Sequence, residues 1–412
     1  MKKGANASTK RCAEHRLIRF ALKPTVVWAA LISCSYAWAD NPSSAVSTIH
    51  LPAGAIQPVA RVDSKGNLHV VYFKGDAARG DLFYVTSKQA NPQAFSQPIR
   101  VNSVAGSAVA LGTIRGAQMA IADNGNVYVV WNGSNSVARE KNLPMLFSRM
   151  GAEESKFSSE HNLLGLHYDN PQGRERILVG CDSEIDGGGA VAAGNGNMVY
   201  VLWHAVPVNG SEKVGQVWVD VSKDAGQTFR TAMPIKTEAS GTCGCCGMQA
   251  TFADGKLFVL YRTAKNGTER DTTLLTGNAE ATSFTSRSLQ GWHADVCPMS
   301  LFSFAQLAGH EIGAWETTDK IYCADLSEPR AQFNQVNAKS LAPQKYPSLA
   351  AGDSQLLVTW TEGAGWNKGG VVKWKLFDKK LQPISHGNLG QSPAWNYSTA
   401  LAFPNGQYAV IF

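Results

Sequence analysis

Past residue 50 the chain repeats one hydrophobic-polar pattern at intervals of roughly fifty residues. A short apolar segment runs into a Gly-containing turn, and a strand rich in β-branched and aromatic residues follows. The copies are Ala60–Phe73 (ARVDSKGNLHVVYF), Gln118–Trp131 (QMAIADNGNVYVVW), Ala190–Trp203 (AVAAGNGNMVYVLW) and Gln249–Tyr261 (QATFADGKLFVLY). Leu301–Trp315, Ser348–Trp360 and Thr399–Phe412 complete the series. After most copies the pattern predicts a third strand, such as Leu82–Ser87 or Gln216–Ser222, and a fourth near Ile99–Asn102 or Met233–Ile235. No long amphipathic helical pattern intervenes.

Four strands per unit at this period predict an all-β fold, a β-propeller of four-stranded blades. Seven inner-strand pairs give seven blades. The last has only two strands before Phe412, and the N-terminal strand Ala45–Leu51 is expected to complete it and close the ring. Six blades, with the final hairpin serving another role, is the alternative count. No linker breaks the pattern, so residues 40–412 are expected to form one domain.

The first 39 residues stand outside the pattern. Lys10, Arg11, Arg16, Arg19 and Lys23 precede the apolar run Pro24–Tyr36 and then Ala37-Trp38-Ala39, the composition of a cleaved export signal. The run is too short to span a bilayer as a helix. A rival reading takes Leu31-Ile32-Ser33-Cys34 as a lipobox that leaves a lipid anchor on Cys34.

This segment changes the charge argument. The chain has 38 Lys and Arg against 32 Asp and Glu. Seven of those cations and one acid lie in residues 1–39, so the remainder carries 31 of each. The net positive charge belongs to the leader, and nothing in the rest points to nucleic acid. An exported protein, periplasmic or extracellular, with no transmembrane segment after cleavage is expected, and a monomer.

An oxidising compartment puts cysteines into disulfides or metal sites. Six lie after the leader: Cys181, Cys243, Cys245, Cys246, Cys297 and Cys323. In a propeller the loops leading into inner strands share a face with the channel mouth, where ligands bind. Thr242–Met248 (TCGCCGM) leads into blade four and Gly291–Met299 (GWHADVCPM) into blade five, so the two are expected to meet. One reading is a disulfide from Cys297 to one of the first three. Cys245 with Cys246 is a poor pair, because adjacent Cα atoms are only about 3.8 Å apart. The other reading is a soft-metal site for copper or zinc, in which Cys243, Cys245, Cys246 and Cys297 are joined by Met299 and His293. Redox thiol chemistry is a third.

Polar groups gather at the same mouth. Arg262 ends the second strand of blade four and Arg270-Asp271 follow; Arg115 leads into blade two, and Asp182, Glu184 and Asp186 into blade three. Tyr346 and Tyr397 lead into blades six and seven, while His204, Glu316 and Glu362 follow second-strand aromatic residues. Arginines with carboxylates around an axial pocket suit an anionic or polyhydroxyl ligand. A solvated rim of paired charges is the plainer account of any one of them.

Residues 222–229, Ser-Lys-Asp-Ala-Gly-Gln-Thr-Phe, form S-x-D-x-G-x-T-F at a predicted strand-to-strand turn. Asp224 can accept hydrogen bonds from the turn's amides, and Gly226 tolerates positive φ. This box and the repeats resemble the sialidase/BNR-repeat (Asp-box) superfamily over nearly all of residues 50–412. Ser222, Asp224, Gly226, Thr228 and Phe229 match its structural box, which the resemblance makes non-catalytic; as a turn between the third and fourth strands of a blade, it is expected on the face away from the mouth. Worn copies run Ser87 to Phe95, Ser148 to Phe157 and Thr276 to Phe284. The chain also resembles an exported subgroup with a Cys-x-Cys-Cys cluster, a following Arg…Arg-Asp and a later Trp…Cys-Pro segment, here Trp292 and Cys297-Pro298.

The resemblance implies binding or hydrolysis of a glycan or other small anionic ligand. Tyr397-Ser398 resembles the segment that holds the sialidase nucleophile. Tyr397 is then the nucleophile candidate, Glu316 its activating partner, and Arg115, Arg262 and Arg270 the carboxylate clamps. The Arg-Ile-Pro motif that carries the family's first arginine is absent. A thiolate metal-binding or redox propeller is the alternative function.

Overall fold

The computed structural model describes residues 46–134, 145–163, 177–179, 188–207, 211–230, 232–236, 241–330 and 332–412. Residues 1–45, with Cys34, and also Cys181, Asp182, Glu184 and Asp186, lie outside the described residues.

Seven sheets form the structure, and their strands follow the sequence order outward from a common axis. Blade one is Ala55–Val62, Leu68–Asp76, Arg79–Ser87 and Ile99–Arg100. Blade two is Gln118–Ile121, Val127–Asn132, Met145–Met150 and His161–Asn162. Blade three is Gly189–Ala193, Val199–Pro207, Gln216–Ser222 and Met233–Pro234, and Ile177–Val179 pairs with the far end of its second strand. Blade four is Gln249–Ala253, Lys256–Arg262, Thr272–Asn278 and Phe284–Gln290. Blade five is Phe302–Leu307, His310–Thr317, Lys320–Asp325 and Asn334–Gln335. Blade six is Gln344–Ala351, Gln355–Glu362, Gly370–Asp378 and Pro383–Ser392.

The seventh sheet closes the ring. Thr399–Ala402 and Tyr408–Ile411 form its inner hairpin, and Val46–Ile49 adds in parallel with Val46 opposite Tyr408 and Ile49 opposite Ile411. Innermost strands of successive blades touch, and the last touches the first. The count is therefore seven, and the N-terminal strand closes the circle as expected.

The second strands are buried on both faces because a neighbouring blade covers each side. Val127–Asn132 is buried throughout, and its composition is correspondingly continuous rather than alternating. Trp131, Trp203, Trp315 and Trp360 recur near the ends of these strands, all fully buried. Each such ring removes about 150–250 Å² from water, an upper value of about 4–6 kcal/mol. The outermost strand Pro383–Ser392 alternates towards solvent instead.

The Asp box is a turn of blade three locked onto blade two. Asp224 Oδ1 accepts from the Thr228 amide at 2.8 Å and the Gln227 amide at 3.1 Å, and Oδ2 from the Thr228 hydroxyl at 2.6 Å. The Ser222 hydroxyl donates to Asp224 at 2.7 Å and accepts from the Gly226 amide at 2.8 Å. Desolvation works against the charge, but these hydrogen bonds win and pull the Asp224 carboxyl down to about 2. Phe229 packs edge-on to Phe147 of blade two at 4.9 Å. Gly226 has φ +78°, and a Cβ there would sit 2.7 Å from the Phe147 ring.

Candidate functional site

The loop before blade four is pulled against its neighbours by its own backbone. Thr242 N donates to the Glu212 carbonyl at 2.9 Å, Cys243 N to the Arg262 carbonyl at 2.9 Å, and Gly247 N to the Ser300 carbonyl at 2.8 Å. Gly241 permits this approach: it has φ +63°, and a Cβ would lie 2.5 Å from the Glu212 carbonyl. Cys246 N donates to the Cys243 carbonyl at 3.1 Å, a turn that brings both side chains to one side.

Four sulfurs meet here. Cys245 and Cys297 form a disulfide that joins the loops of blades four and five across 52 residues. Cys243 Sγ lies 3.3 Å from Cys246 Sγ and 3.9 Å from Cys245 Sγ. Cys243, Cys245 and Cys246 are buried, whereas Cys297 is exposed. One carboxylate oxygen of Glu212, on the loop between the second and third strands of blade three, joins Cys243, Cys245 and Cys297 with all four ligand atoms within 4.8 Å of one another. The hydrogen bond that Cys243 donates holds its own thiol pKa up. For Cys246, burial opposes ionisation, but that hydrogen bond and the Arg262 charge lower the pKa.

Two of the predicted clamps belong to this cluster rather than to an open pocket. Arg262 is fully buried; it donates to the Arg270 carbonyl at 2.6 Å and to the Glu316 carbonyl. Its guanidinium lies over Trp292 at 4.9 Å and Phe302 at 5.6 Å. Arg270 bonds Glu212 Oε1 at 2.6 Å. Asp271 accepts from the Trp292 amide at 3.1 Å and so braces the Cys297 loop. Arg115 donates to the Leu111 carbonyl at 2.6 Å and sits 5.8 Å from the Trp366 ring. Among the described residues, backbone carbonyls take donors of Arg115 and Arg262 and Glu212 takes one of Arg270, while Arg262 Nε and Arg270 Nε and Nη1 are buried without a hydrogen-bond partner.

Glu316 is also committed elsewhere. It is fully buried and paired with Lys345 at 2.6 Å, so its partner is an ammonium and not a tyrosine hydroxyl. Burial raises its pKa, and the Lys345 charge opposes the shift. His293 is exposed and 3.6 Å from Asp295. Met299 packs against the cysteine group, together with Ile114 of the loop before blade two. Cys323 is buried in blade five, where desolvation pushes its thiol up to about 12. His204 is buried with no hydrogen-bond partner among the described residues, and burial pushes it down to about 3.

The axial channel holds Tyr397 and Tyr346. Both line a cavity of about 50 Å³ with Arg61, Gln118, Gln249 and Thr399. The Tyr397 hydroxyl is buried without a partner among the described residues; burial raises its pKa while the Arg61 charge opposes it. Gln57 Nε2 donates to the Ala110 carbonyl at 2.6 Å and the Trp395 carbonyl at 2.7 Å, which ties the first strand of blade one to the loops before blades two and seven. Gln57, Thr113, Met299, Tyr346 and Trp395 all hold left-handed backbone near the starts of inner strands, φ between 52° and 60°. Such conformations cost about 1–2 kcal/mol each and cluster where a site is being shaped.

Sequence reasoning missed Glu212 and Arg61. Glu212 has no motif around it, and Arg61 falls inside the repeat copy Ala60–Phe73 with nothing to mark it. The C-x-x-C spacing of Cys243 and Cys246 was present in the run and was the legible clue to the contact between their sulfurs.

No family model matches the chain, and no curated protein does either. Solved structures do. The sialidase of Trypanosoma rangeli bound to the inhibitor DANA superposes with TM-score 0.52 at 11% identity, covering 77% of this chain and 53% of that one. The same sialidase with 2,3-difluorosialic acid gives 0.51 at 12% identity, covering 76% and 53%. A Dyadobacter fermentans protein of unknown function gives 0.52 at 12%, covering 78% and 94%. The chain thus spans about half the length of the trypanosomal sialidase and nearly all of the bacterial protein. What these likenesses establish is that this chain is an all-β propeller with the sialidase-like fold.

Proposed function

We propose that this protein is an exported propeller that carries out thiol–disulfide exchange at its axial face. The carrying observation is the position of Cys243, whose sulfur lies 3.3 Å from Cys246 and 3.9 Å from Cys245. An outside thiolate attacks the exposed Cys297 sulfur, forms a mixed disulfide and releases Cys245 as thiolate. A second thiol of the same substrate then attacks the mixed disulfide, leaving oxidised substrate and reduced Cys297. The centre also exchanges internally. Cys246 as thiolate takes the Cys243 proton through their hydrogen bond as Cys243 attacks Cys245 and Cys297 leaves as thiolate; Cys246 passes that proton to Cys297 and then attacks Cys243, which frees Cys245. Two thiols and one disulfide stand on both sides of that sequence.

The test is a glutathione redox titration, quenched in acid and mapped by differential alkylation and mass spectrometry. The Cys245–Cys297 bond should open and reform in the folded protein, alternating with a Cys243–Cys246 bond. A Cys245–Cys297 bond that stays closed until the protein unfolds would refute the proposal.

A glycan reading has one supporting observation, that Tyr397 and Arg61 line the same axial cavity. Assay of a fluorogenic sialoside panel tests it, and turnover lost in Tyr397→Phe would establish it over the thiol reading.

A further inference from the structure

The same cluster has a second use once its disulfide opens. We infer that the reduced protein binds one zinc ion through Cys243, Cys245, Cys297 and Glu212, so that the disulfide is the lock on a metal site. This rests on the exchange reading above, because it needs a Cys245–Cys297 bond that opens in the folded protein.

The donor set comes first. Three thiolates and one carboxylate oxygen satisfy the tetrahedral preference of zinc. At a Zn–S distance of about 2.3 Å, two sulfurs of a tetrahedron stand about 3.8 Å apart. Cys243 and Cys245 already stand at 3.9 Å, and all four ligand atoms fall within 4.8 Å. Only Cys297 must withdraw from Cys245, and it is the exposed member on a surface loop.

The carboxylate is prepared for the role. Glu212 Oε1 is held by Arg270 at 2.6 Å, while Oε2 is buried and has no hydrogen-bond partner among the described residues. A carboxylate with one oxygen clamped and the other bare is the arrangement that orienting groups give to metal ligands. Solvent does not reach Oε2, so a cation is the missing partner.

Charge selects the ion. Three thiolates and a carboxylate carry four negative charges. Zinc leaves two, and Arg270 on Glu212 with Arg262 beside Cys246 supply two positive charges. A monovalent soft ion would leave a further charge uncompensated in a buried site. Cys246 lies outside the four and remains the neighbour of Cys243, which couples metal release to exchange: oxidation of Cys245 with Cys297 removes two of four ligands at once. His293 and Met299 take no part.

The experiment is zinc titration of the anaerobically reduced protein against a chromophoric chelator, with thiols counted on the same samples. One zinc per chain is expected for the reduced protein and none for the protein with Cys245–Cys297 closed. Glu212→Gln should weaken binding about 10–100-fold, and Cys243→Ser at least as much, with circular dichroism confirming that each variant is folded. Cys246→Ser should keep the zinc. Reduced thiols without zinc retention would overturn this inference alone. A bond that cannot be reduced in the folded protein would overturn the exchange reading beneath it. Zinc binding undiminished in Cys243→Ser and Glu212→Gln would also sink the assignment.

Discussion

Replacing Lys345 with Met removes the only described cation that Glu316 contacts by ion pair. The Glu316 side chain is fully buried, with Oε1 2.6 Å from Lys345 Nζ and Oε2 lacking a hydrogen-bond partner among the described residues. Lys345 also donates to the Pro298 carbonyl at 3.0 Å, next to Cys297. Breaking such a pair from one side costs about 3–5 kcal/mol, because a charge is left in a dry site. The lower end is expected, since the stranded carboxyl can protonate. Burial already raises its pKa above the ordinary 4.5, and without lysine the shift grows. The folded variant then binds a proton that the unfolded chain does not, so its stability rises as pH falls from neutrality towards about 4.5. The double variant Lys345→Met/Glu316→Gln carries no stranded charge, and the two changes should couple by about 1.5–3 kcal/mol. Urea unfolding followed by tryptophan fluorescence, at pH 7 and about pH 5, on the wild type, Lys345→Met, Glu316→Gln and the double variant measures the costs and their coupling. A single variant costing under about 1 kcal/mol, or costs that simply add, would refute the argument and return Glu316 to the candidates for chemistry.

Other consequences are open to direct measurement. Gly226→Ala places a methyl 2.7 Å from Phe147 at φ +78°; about 2–4 kcal/mol of stability should be lost by denaturant unfolding, with thiol chemistry unchanged. Asp224, held at about 2, supports stability above the ordinary 3.8 and loses that support as pH falls through about 2. Asp224→Asn should therefore cost about 1 kcal/mol at neutral pH, after allowance for solvent screening, and the gap should vanish in an acid titration below that range. Burial pushes Glu311 up to about 8, with Asp254 and Asp325 adding to the shift. The native state then loses stability as pH rises from about 4.5 to about 8, and Glu311→Gln should flatten that slope and add about 2–4 kcal/mol at its alkaline end. Tyr397→Phe deletes a buried hydroxyl without a described partner and should change stability by no more than about 1 kcal/mol, in either direction.

Repeat period and strand composition were local facts, and they carried the architecture. VYVVW and VYVLW are continuous because blades cover both faces, and Gly-containing turns bound them, so seven blades could be counted without coordinates. The Asp box was legible for the same reason: Ser222, Asp224 and Thr228 bond within one turn. The closing strand was legible only as a leftover, since its parallel pairing with Tyr408–Ile411 joins residues some 360 apart in sequence.

The site was different. The meeting of the two cysteine loops followed from blade adjacency, but which sulfur bonds to Cys297 depends on how the turn from Cys243 to Cys246 aims each side chain. Arg262 and Glu316 looked like pocket residues because strand ends face the mouth. Their burial against Trp292, Phe302 and Lys345 comes from neighbouring blades, which no local pattern encodes. Glu212 reaches the sulfurs only through the packing of blade three on blade four. Local hydrogen bonds and periodicity wrote the ring into the sequence, and inter-blade contacts, made between residues far apart in the chain, decided where its chemistry lies.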